Sequence, residues 1–273
     1  MTGAAFDSLA ARYEALWSAT PVGRSQRQQV WRWIDPLFRP GNCVLDLGCG
    51  IGDDAAHLQA RGIAVEAIDA SAGMVRQAQT RGVAARQLAI EELPALDGRF
   101  DGAISNFGAL NCVERLEPVA EQLARLVKPG GALAICVMGR TCAWEIAHYF
   151  PRKKAFRRWS AGACGAGWQS AAGCVPASPA THPSSSPNRR TASRPQATSL
   201  RHVRIYYPTV RQIARAFRPG FRLTQWTGIG LFVPPSYVTG KSISGLAALD
   251  RKLAHLPIAR AMADHRLLIF RRV

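Results

Sequence analysis

The residues most able to do chemistry lie in the stretch VLDLGCGIGDD, residues 44–54, where three glycines stand between acidic side chains. The apolar run before the glycines predicts a buried strand that ends near Asp46. The glycines are Gly48, Gly50 and Gly52, and their spacing predicts a turn whose backbone N–H groups come close to a ligand. A carboxylate at this bend can accept from an ammonium group, directly or through water. The turn is therefore predicted to hold a nucleotide-like ligand that carries a positive charge.

A second acid stands at the end of the next apolar run, AVEAID, which ends at Asp69. An acid about twenty residues after such glycines is placed to accept the ribose hydroxyls of an adenosine. Asp46 and Asp69 together predict an adenosine that carries a cationic amino acid, which describes S-adenosylmethionine (SAM). The G-x-G-x-x-G pattern of NAD and FAD sites would put a glycine where Asp53 stands, so a dinucleotide is disfavoured.

The elements that must position these acids follow from the alternation of short apolar runs with amphipathic stretches over residues 41–138. The runs CVLDL, AVEAID, FDGAISN and GALAICVM predict parallel strands joined by crossover helices. Asp53 and Ser71 are predicted to cap two of the helices, and Pro118 lies near the start of a third. The predicted fold class is α/β, with a Rossmann-like doubly wound, mostly parallel seven-stranded sheet and an antiparallel final strand.

Changes in composition divide the chain into four predicted parts. Residues 160–200 are rich in Ala, Gly, Ser and Pro and poor in large apolar side chains, which is typical of a disordered or loosely packed insertion. Order is predicted to return with helices at 208–217 and 246–256 and strands at 221–227 and 266–271. The predicted parts are a helical cofactor lid (1–40), a SAM-binding core (41–150), the insertion (160–200) and a C-terminal part that completes the sheet and substrate pocket (201–273).

Further segments occur in an order typical of one family. Phe6, Asp7, Ala10 and Tyr13 form the pattern F-D-x-x-A-x-x-Y, and IDASAGM follows the glycine-rich turn. IEELP, FDGAISNFGALNCV and LVKPGGALAICVM come next, in that order. Together with VLDLGCGIG, these motifs resemble the class I SAM-dependent methyltransferases of the type 11/12 kind. The resemblance covers roughly the first half of the chain, with weaker similarity beyond it.

The resemblance implies a set of cofactor-binding residues. In that family the N-terminal segment closes over the cofactor, the acid of the second-strand motif takes the ribose, and the methionine of that motif packs near the adenine. The residues implied here are Tyr13, Asp46, Gly48, Cys49, Gly50, Gly52, Asp69, Ala70, Met74, Ile90, Glu91, Asn106 and Phe107. Family members often carry an acid for the adenine amino group where Ala89 stands, so adenine binding is expected to be weaker or to use the backbone of Ile90.

The predicted reaction is an in-line displacement at a sulfonium methyl group, which needs no metal. Positioning of the acceptor and exclusion of water supply most of the acceleration, and no metal site is predicted. An oxygen or carbon acceptor can also require a base. The candidates lie outside the cofactor motifs, in segments able to roof the pocket, and are His148, His202, Tyr206 and Tyr207. An aromatic, turn-rich segment at 226–237 fits the wall of an apolar acceptor pocket and fits an ordinary core loop equally well.

Composition bounds the class of protein. A chain of 273 residues has room for one large α/β domain with an appendage. Seven cysteines without a C-x-x-C pair predict free thiols in a reducing compartment, and the N-terminus lacks the pattern of a secretory signal, so a cytoplasmic location is expected. The net charge of +17 is uneven, at −2 over residues 1–150 and +19 over 151–273. The basic half is compatible with an anionic partner or with solvated surface charge.

Four functions follow from these observations. The favoured one is methyl transfer to a small, lipophilic or aromatic acceptor. The charged C-terminal half leaves a methyltransferase acting on RNA or another macromolecule as an alternative, although no RNA-binding module and no well-placed Asn/Asp-Pro-Pro-aromatic motif is present. A non-catalytic SAM-binding protein is a further alternative, because of Ala89 and the insertion. An NAD-dependent oxidoreductase is the least favoured, and the sequence leaves the oligomeric state open.

Overall fold

The computed structural model describes residues 2–149, 204–234 and 243–273, and the predicted insertion at 160–200 lies outside them. Within these residues the α-helices are α1 (Thr2–Tyr13), α2 (Pro21–Ile34), α3 (Asp53–Gln59), α4 (Ala72–Thr80), α5 (Leu116–Leu126), α6 (Ala143–Tyr149), α7 (Val210–Phe217), α8 (Ser244–Leu253) and α9 (Pro257–Ala261). A π-helical turn (Glu14–Ser18) follows α1, and 3₁₀ turns span Asp35–Leu37, Ile90–Ala95 and Ala109–Cys112. None of the helices in the described part of the chain is long and apolar enough to cross a bilayer.

Seven strands in the described residues form one sheet. They are β1 (Cys43–Leu47), β2 (Ala64–Asp69), β3 (Ala84–Gln87), β4 (Phe100–Ser105), β5 (Val127–Met138), β6 (Phe221–Ile229) and β7 (His265–Arg272), in the order β3-β2-β1-β4-β5-β7-β6. Strands β1 to β5 pair in parallel, and β7 runs antiparallel to both β5 and β6. This confirms the predicted mostly parallel, seven-stranded sheet with an antiparallel final strand.

Helices cover both faces of the sheet, which explains why its central strands are continuous apolar runs. On one face Val44 and Ile104 belong to a cluster of buried side chains shared with α1, α2 and α4. On the other face Leu45 and Leu133 belong to a cluster shared with α5 and α7. The parallel strands all end at the same edge of the sheet, and the glycine-rich turn and Asp69 lie at that edge.

Local details differ from the sequence predictions in three places. Asp53 was predicted to cap α3, and this is wrong, because Gly52 holds the capping position with a left-handed φ of 84°. Asp53 is instead drawn to polar partners and accepts from Ser18 Oγ at 2.6 Å. Ser71 does cap α4, as predicted, by accepting from Met74 N at 3.1 Å. The second difference is the short strand β3, which the sequence patterns did not predict. It has a single buried residue, which is too few for an apolar pattern.

The third difference concerns the C-terminal elements, whose types are as predicted and whose bounds shift by a few residues. The predicted helix at 208–217 begins at Val210, because a capping box fixes its first turn. Gln212 N donates to Thr209 Oγ1, and Thr209 N donates to Gln212 Oε1. The sequence LVKPGGALAICVM leads from α5 directly into β5, and Gly130 takes a φ of 77° within that strand.

Candidate active site

The glycine-rich turn joins the carboxyl end of β1 to the start of α3, and all three of its glycines have left-handed φ angles. These are 71° at Gly48, 55° at Gly50 and 84° at Gly52. A Cβ at Gly48 would lie 2.2 Å from Ala109 Cβ, so the protein itself closes this position. A Cβ at Gly50 would have no atom of the described residues within 4 Å. The turn is therefore packed at Gly48 and open at Gly50, where a ligand can approach the backbone.

Gly50→Ala is expected to separate ligand binding from folding. A non-glycine residue pays roughly 1–2 kcal/mol for this φ, and its methyl group projects into the open side of the turn. We expect SAM affinity, measured by titration calorimetry, to fall by about tenfold or more. Gly41→Ala is the matched control, because Gly41 has a φ of 86°, equally open surroundings, and a place before β1, at the other edge of the sheet. Equal loss of SAM affinity in both variants would contradict an open ligand side at Gly50.

Asp69 connects the glycine-rich turn to the start of α4. Its Oδ2 accepts from Gly50 N at 2.9 Å, and its Oδ1 accepts from Ser71 N at 2.8 Å. Each carboxylate oxygen keeps a further acceptor position, so Asp69 can also receive two hydroxyl groups. Burial raises the pKa of Asp69, and the backbone donors of Ser71 and Gly50 oppose part of that rise.

Two polar side chains at the carboxyl ends of β1 and β4 are buried without hydrogen-bond partners among the described residues. The atoms are Asp46 Oδ2 and both amide atoms of Asn106. A buried polar group left unsatisfied costs roughly 1–3 kcal/mol, and a polar ligand that hydrogen-bonds to these atoms would remove that cost. Burial, followed by the charge of Asp54, raises the pKa of Asp46 well above its usual value. A cationic group beside Asp46 would favour its ionised form.

Helix α1 is attached to the start of α4, directly beside Asp69. Asp7 accepts from Ser71 Oγ and from Gly73 N, both at 2.7 Å. A Cβ at Gly73 would lie 3.0 Å from Ala10 Cβ and from Asp7 O, so the two helices meet at small residues. These contacts give the F-D-x-x-A part of the N-terminal pattern a physical reason, because the acid binds the start of α4 and the alanine allows the close approach.

Asp7→Asn is expected to loosen α1. The hydrogen bonds from Ser71 and Gly73 lower the pKa of Asp7, although burial slightly opposes them. Because the folded pKa lies below the unfolded one, this contribution to stability is complete above the ordinary aspartate pKa and disappears as the pH falls through the lowered value. We expect a loss of about 0.5–1 kcal/mol in urea denaturation at neutral pH and up to about fivefold in SAM affinity.

Asp97→Asn is the matched control for Asp7→Asn, because the Asp97 side chain is fully exposed and its one ion-pair contact among the described residues, with Arg125, is as long as 3.8 Å. Its stability and SAM affinity should not change. A loss in Asp7→Asn no larger than that in Asp97→Asn would show that α1 does not depend on this carboxylate.

A buried arginine, Arg27 of α2, lies beside two aromatic rings that contact each other at the site. Its guanidinium carbon is 4.9 Å from the centroid of the Trp17 ring and 5.0 Å from that of Phe107. Its Nη1 lies 2.6 Å from Asp54 Oδ2, and its Nη2 lies 3.3 Å from Asp53 Oδ2. Burial disfavours the guanidinium charge, but Asp54 and Asp53 outweigh it and raise the pKa of Arg27. The arginine thus ties α2 to the start of α3.

Phe107 has an unusual backbone. Its φ of 53° makes it the one non-glycine residue with a positive φ in the described part of the chain. Strained residues of this kind are concentrated at functional sites. The Phe107 ring is held by Trp17, with ring centroids 4.6 Å apart, and by His265, at 5.4 Å. Trp17 belongs to the π-helical turn after α1, a local structure often found at functional sites.

The remaining predicted cofactor residues differ in how far they are buried. Tyr13 and Cys49 are buried, and burial raises the pKa of both side chains. Met74 is 3% exposed at the start of α4. Ala70 is half-buried, Ile90 is buried and Glu91 is exposed. Their contacts with a cofactor stay predictions.

The predicted base candidates are placed unevenly. Tyr206 and Tyr207 are half-buried. The backbone of Tyr206 forms two hydrogen bonds with Asn111, a residue that follows β4. Tyr206 N donates to Asn111 O, and Asn111 Nδ2 donates to Tyr206 O, both at 2.7 Å. Both tyrosines therefore lie near the carboxyl edge of the sheet. His202 and the side chain of His148 lie outside the described residues. The role of all four as bases stays a prediction.

Sequence reasoning missed two residues of this site, Arg27 and His265. Arg27 lies on the buried side of α2, together with Gln26 and Val30. A basic residue on the buried side of a helix is the signal that could have identified it. The signal for His265 was its place at the first residue of an antiparallel strand, which puts it at the edge where the parallel strands end.

Five cysteines in the described residues are not in disulfides, namely Cys43, Cys49, Cys112, Cys136 and Cys142. Cys164 and Cys174 lie outside the described residues. Nowhere in the described ranges do three His, Cys, Asp or Glu side chains come together as metal ligands would. The polar groups that the described site does present are carboxylates, an amide, an imidazole, backbone N–H groups and the Arg27 guanidinium, which is paired with Asp53 and Asp54.

The fold and the site together define the class of the protein. The strand order, the glycine-rich turn after β1 and the acid that ends β2 are the arrangement of a Rossmann-like SAM-dependent methyltransferase of class I. Residues 44–131 match the protein family described as "Methyltransferase domain". Over residues 44–131 this match confirms the SAM-dependent methyltransferase domain that the sequence motifs predicted.

Curated relatives are also methyltransferases. The malonyl-[acyl-carrier protein] O-methyltransferase of Pseudescherichia vulneris is 41% identical over 102 residues, which are 37% of this chain and 40% of that protein. The demethylmenaquinone methyltransferase of Beutenbergia cavernae is 34% identical over 135 residues, 48% of this chain and 55% of that one. The chain thus spans about half the length of the curated relatives that it matches.

A solved structure extends the fold comparison over the whole chain. The SAM-dependent methyltransferase of Thermotoga maritima, titled a possible histamine N-methyltransferase, superposes with a TM-score of 0.59 and covers 99% of both chains. The two sequences are 15% identical, so this likeness concerns the fold alone.

Proposed function

We propose that the protein is an enzyme that transfers a methyl group from SAM to a small lipophilic acceptor. The observation that carries this proposal is the pair of unsatisfied polar side chains, Asp46 and Asn106, beside a glycine turn that is open at Gly50. Asp69 accepts from Gly50 N of the same turn. The basic side chain at this site, Arg27, is already paired with Asp53 and Asp54. The two acids and the amide therefore fit a ligand with an ammonium group and two ribose hydroxyls better than a phosphate.

We infer one role for each of these residues. Asp69 accepts the ribose hydroxyls while its bonds to Gly50 and Ser71 keep it in place. Asp46 faces the ammonium group, and the Asn106 amide donates to or accepts from the amino acid end. When bound, SAM supplies a methyl group on a sulfonium sulfur, which an acceptor displaces in line. Trp17 and Phe107 exclude water from that end and position the acceptor.

The acceptor class is inferred from the wall of the site. Trp17 and Phe107 are 8% and 6% exposed and stack edge to face. Met138, at the end of β5, lies beside Gly108, where a Cβ would come 3.2 Å from Met138 Cε. A wall of this composition favours an apolar or aromatic acceptor. The name of one curated relative, which refers to demethylmenaquinone, supports the same class.

A macromolecular acceptor is the second candidate, and the charge distribution favours it. Arg211, Arg215, Arg218 and Arg222 are exposed on and after α7, and no carboxylate of the described residues forms an ion pair with them. An anionic macromolecule bound there would lose affinity steeply as salt rises. Salt-independent methylation of a small acceptor would remove this candidate.

Turnover tests the proposed function. The purified protein is incubated with SAM and a panel of lipophilic phenols, quinols and carboxylic acids, and S-adenosylhomocysteine is quantified by mass spectrometry. We expect acceptor-dependent production of S-adenosylhomocysteine that the Gly50→Ala variant loses and the Gly41→Ala variant keeps. Binding of SAM without turnover on this panel or on RNA would favour a non-catalytic SAM-binding protein.

A further inference from the structure

One buried imidazole at the carboxyl edge of the sheet is left unused by these roles. His265 is the first residue of β7 and is 4% exposed. It pairs with Met138 at the end of β5 and with Ile229 at the end of β6. Because β7 is antiparallel to β5, its first residue lies at the edge where β1 and β4 end. His265 therefore shares an edge of the sheet with Asp46 and Asn106.

The two ring nitrogens of His265 have different surroundings. Nδ1 lies 3.3 Å from Asp264 Oδ2, which is an ion-pair distance, although the contact lacks the angle of a hydrogen bond. Nε2 is buried and has no hydrogen-bond partner among the described residues. A carboxylate beside Nδ1 favours the tautomer that carries its proton there, which leaves the lone pair of Nε2 free to accept a proton.

Asp264 is suited to this role because it stays ionised. Gln26 Nε2 donates to its Oδ2 at 3.3 Å. Burial works against the carboxylate charge, but the positive charge of a protonated His265 and the hydrogen bonds from Gln26 and Cys142 outweigh it and hold the pKa of Asp264 below its usual value. Asp264 can therefore stabilise a positive charge on the imidazole.

The position of His265 along the sheet indicates what it faces. Asp69 ends β2, Asp46 lies on β1, and Asn106 follows β4, so the proposed cofactor runs from its ribose to its amino acid end in the strand order β2-β1-β4. Strands β5 and β7 come next in the sheet. A row of rings continues in the same direction, with centroid separations of 4.6 Å from Trp17 to Phe107 and 5.4 Å from Phe107 to His265. His265 thus lies on the side where an acceptor would enter.

From this geometry we propose that His265 is a general base for the methyl transfer and that Asp264 is its positioning residue. The inference rests on the proposed function and narrows the acceptor to one with a removable proton, such as a phenol, an enol or a carbon acid. The acceptor atom forms a bond to the methyl carbon while the sulfur–carbon bond breaks, and the electron pair of that bond stays on sulfur. The acceptor proton moves to His265 Nε2, and the imidazolium, held beside Asp264, later releases it to water.

Acceptor acidity separates a base from a packing residue. We would compare 4-nitrophenol, largely ionised at about pH 8, with 4-methylphenol, whose pKa is near that of tyrosine, about 10. His265→Gln is expected to slow methylation of 4-methylphenol by about a hundredfold and that of 4-nitrophenol by only a few fold. Asp264→Asn should show the same selectivity to a smaller degree, and His255→Gln, at an exposed histidine, should change neither rate. An equal loss for both phenols would overturn the proposal.

A crystal structure with S-adenosylhomocysteine decides the question without any acceptor. We expect His265 Nε2 to face the space beside the sulfur, within roughly 8 Å of it, since a methyl carbon and an acceptor atom must fit between them. A greater distance, or a protein hydrogen bond that occupies Nε2, would overturn the role of His265 alone. Failure of the wild-type protein to bind S-adenosylhomocysteine in calorimetry would instead overturn the proposed function, and the role of His265 with it.

Discussion

Asp69→Ala is expected to weaken SAM binding by about a hundredfold or more. The change removes the acceptor that we propose for two ribose hydroxyls, each a charge-assisted hydrogen bond worth about 1.5–3 kcal/mol. It also frees Gly50 N and Ser71 N, which Asp69 holds at 2.9 and 2.8 Å, so the turn loses its fixed geometry. Titration calorimetry of the variant at neutral pH measures the effect, and circular dichroism confirms that it is folded.

Two comparisons make the Asp69 result specific. Asp97→Ala removes an aspartate that is fully exposed and should leave SAM affinity unchanged. The SAM affinity of the wild-type protein should also decrease as the pH is lowered, and the decrease should begin at a higher pH than the pKa of an ordinary aspartate would give. Burial raises the pKa of Asp69, and a protonated carboxyl group loses part of its acceptor capacity. Full SAM affinity in folded Asp69→Ala would show that the adenosine binds elsewhere.

Arg27→Met is expected to cost about 3–5 kcal/mol of unfolding free energy, the largest stability effect at this site. The substitution leaves the Asp54 carboxylate buried without the guanidinium 2.6 Å away, and it also removes the cation beside the Trp17 and Phe107 rings. The Trp31 bond to Asp54, at 2.7 Å, offsets only part of the loss. Urea denaturation followed by tryptophan fluorescence measures the change.

Two further variants isolate the charge pair. Arg24→Met, at an exposed position of the same helix, should change stability by less than about 0.5 kcal/mol. The double variant Arg27→Met with Asp54→Asn should recover roughly 1–3 kcal/mol relative to Arg27→Met, because it removes the uncompensated charge. Additive losses in the double variant would show that the pair is not coupled and that Arg27 contributes through packing alone.

The sequence predicted the central part of the fold well, because short continuous stretches of sequence determine the strands and turns of that part. Buried parallel strands such as CVLDL are continuous apolar runs, and the glycines and acids that follow them mark the edge of the sheet. Asp69 shows why the cofactor could be predicted at all, since an acid at the end of β2 constrains the ligand by its chemistry and by its spacing from Gly50.

Features that depend on contacts between distant segments were not predictable. Arg27 meets Asp54 and Phe107 only after α2 has packed on the sheet, and nothing near Arg27 in the sequence names its partners. His265 joins the site because β7 turns antiparallel, an arrangement that fixes which end of the strand reaches the edge. Asp53 was misassigned as a cap for the same reason, since its partners Ser18 and Arg81 come from other elements.

The most direct test of the central claim is isothermal titration of the wild-type protein with S-adenosylmethionine and, separately, with NADH. The account predicts binding of S-adenosylmethionine at one site per chain and no binding of NADH, because Asp46 and the open turn suit an ammonium group and disfavour a diphosphate. Binding of NADH with none of S-adenosylmethionine, by protein shown to be folded, would contradict it.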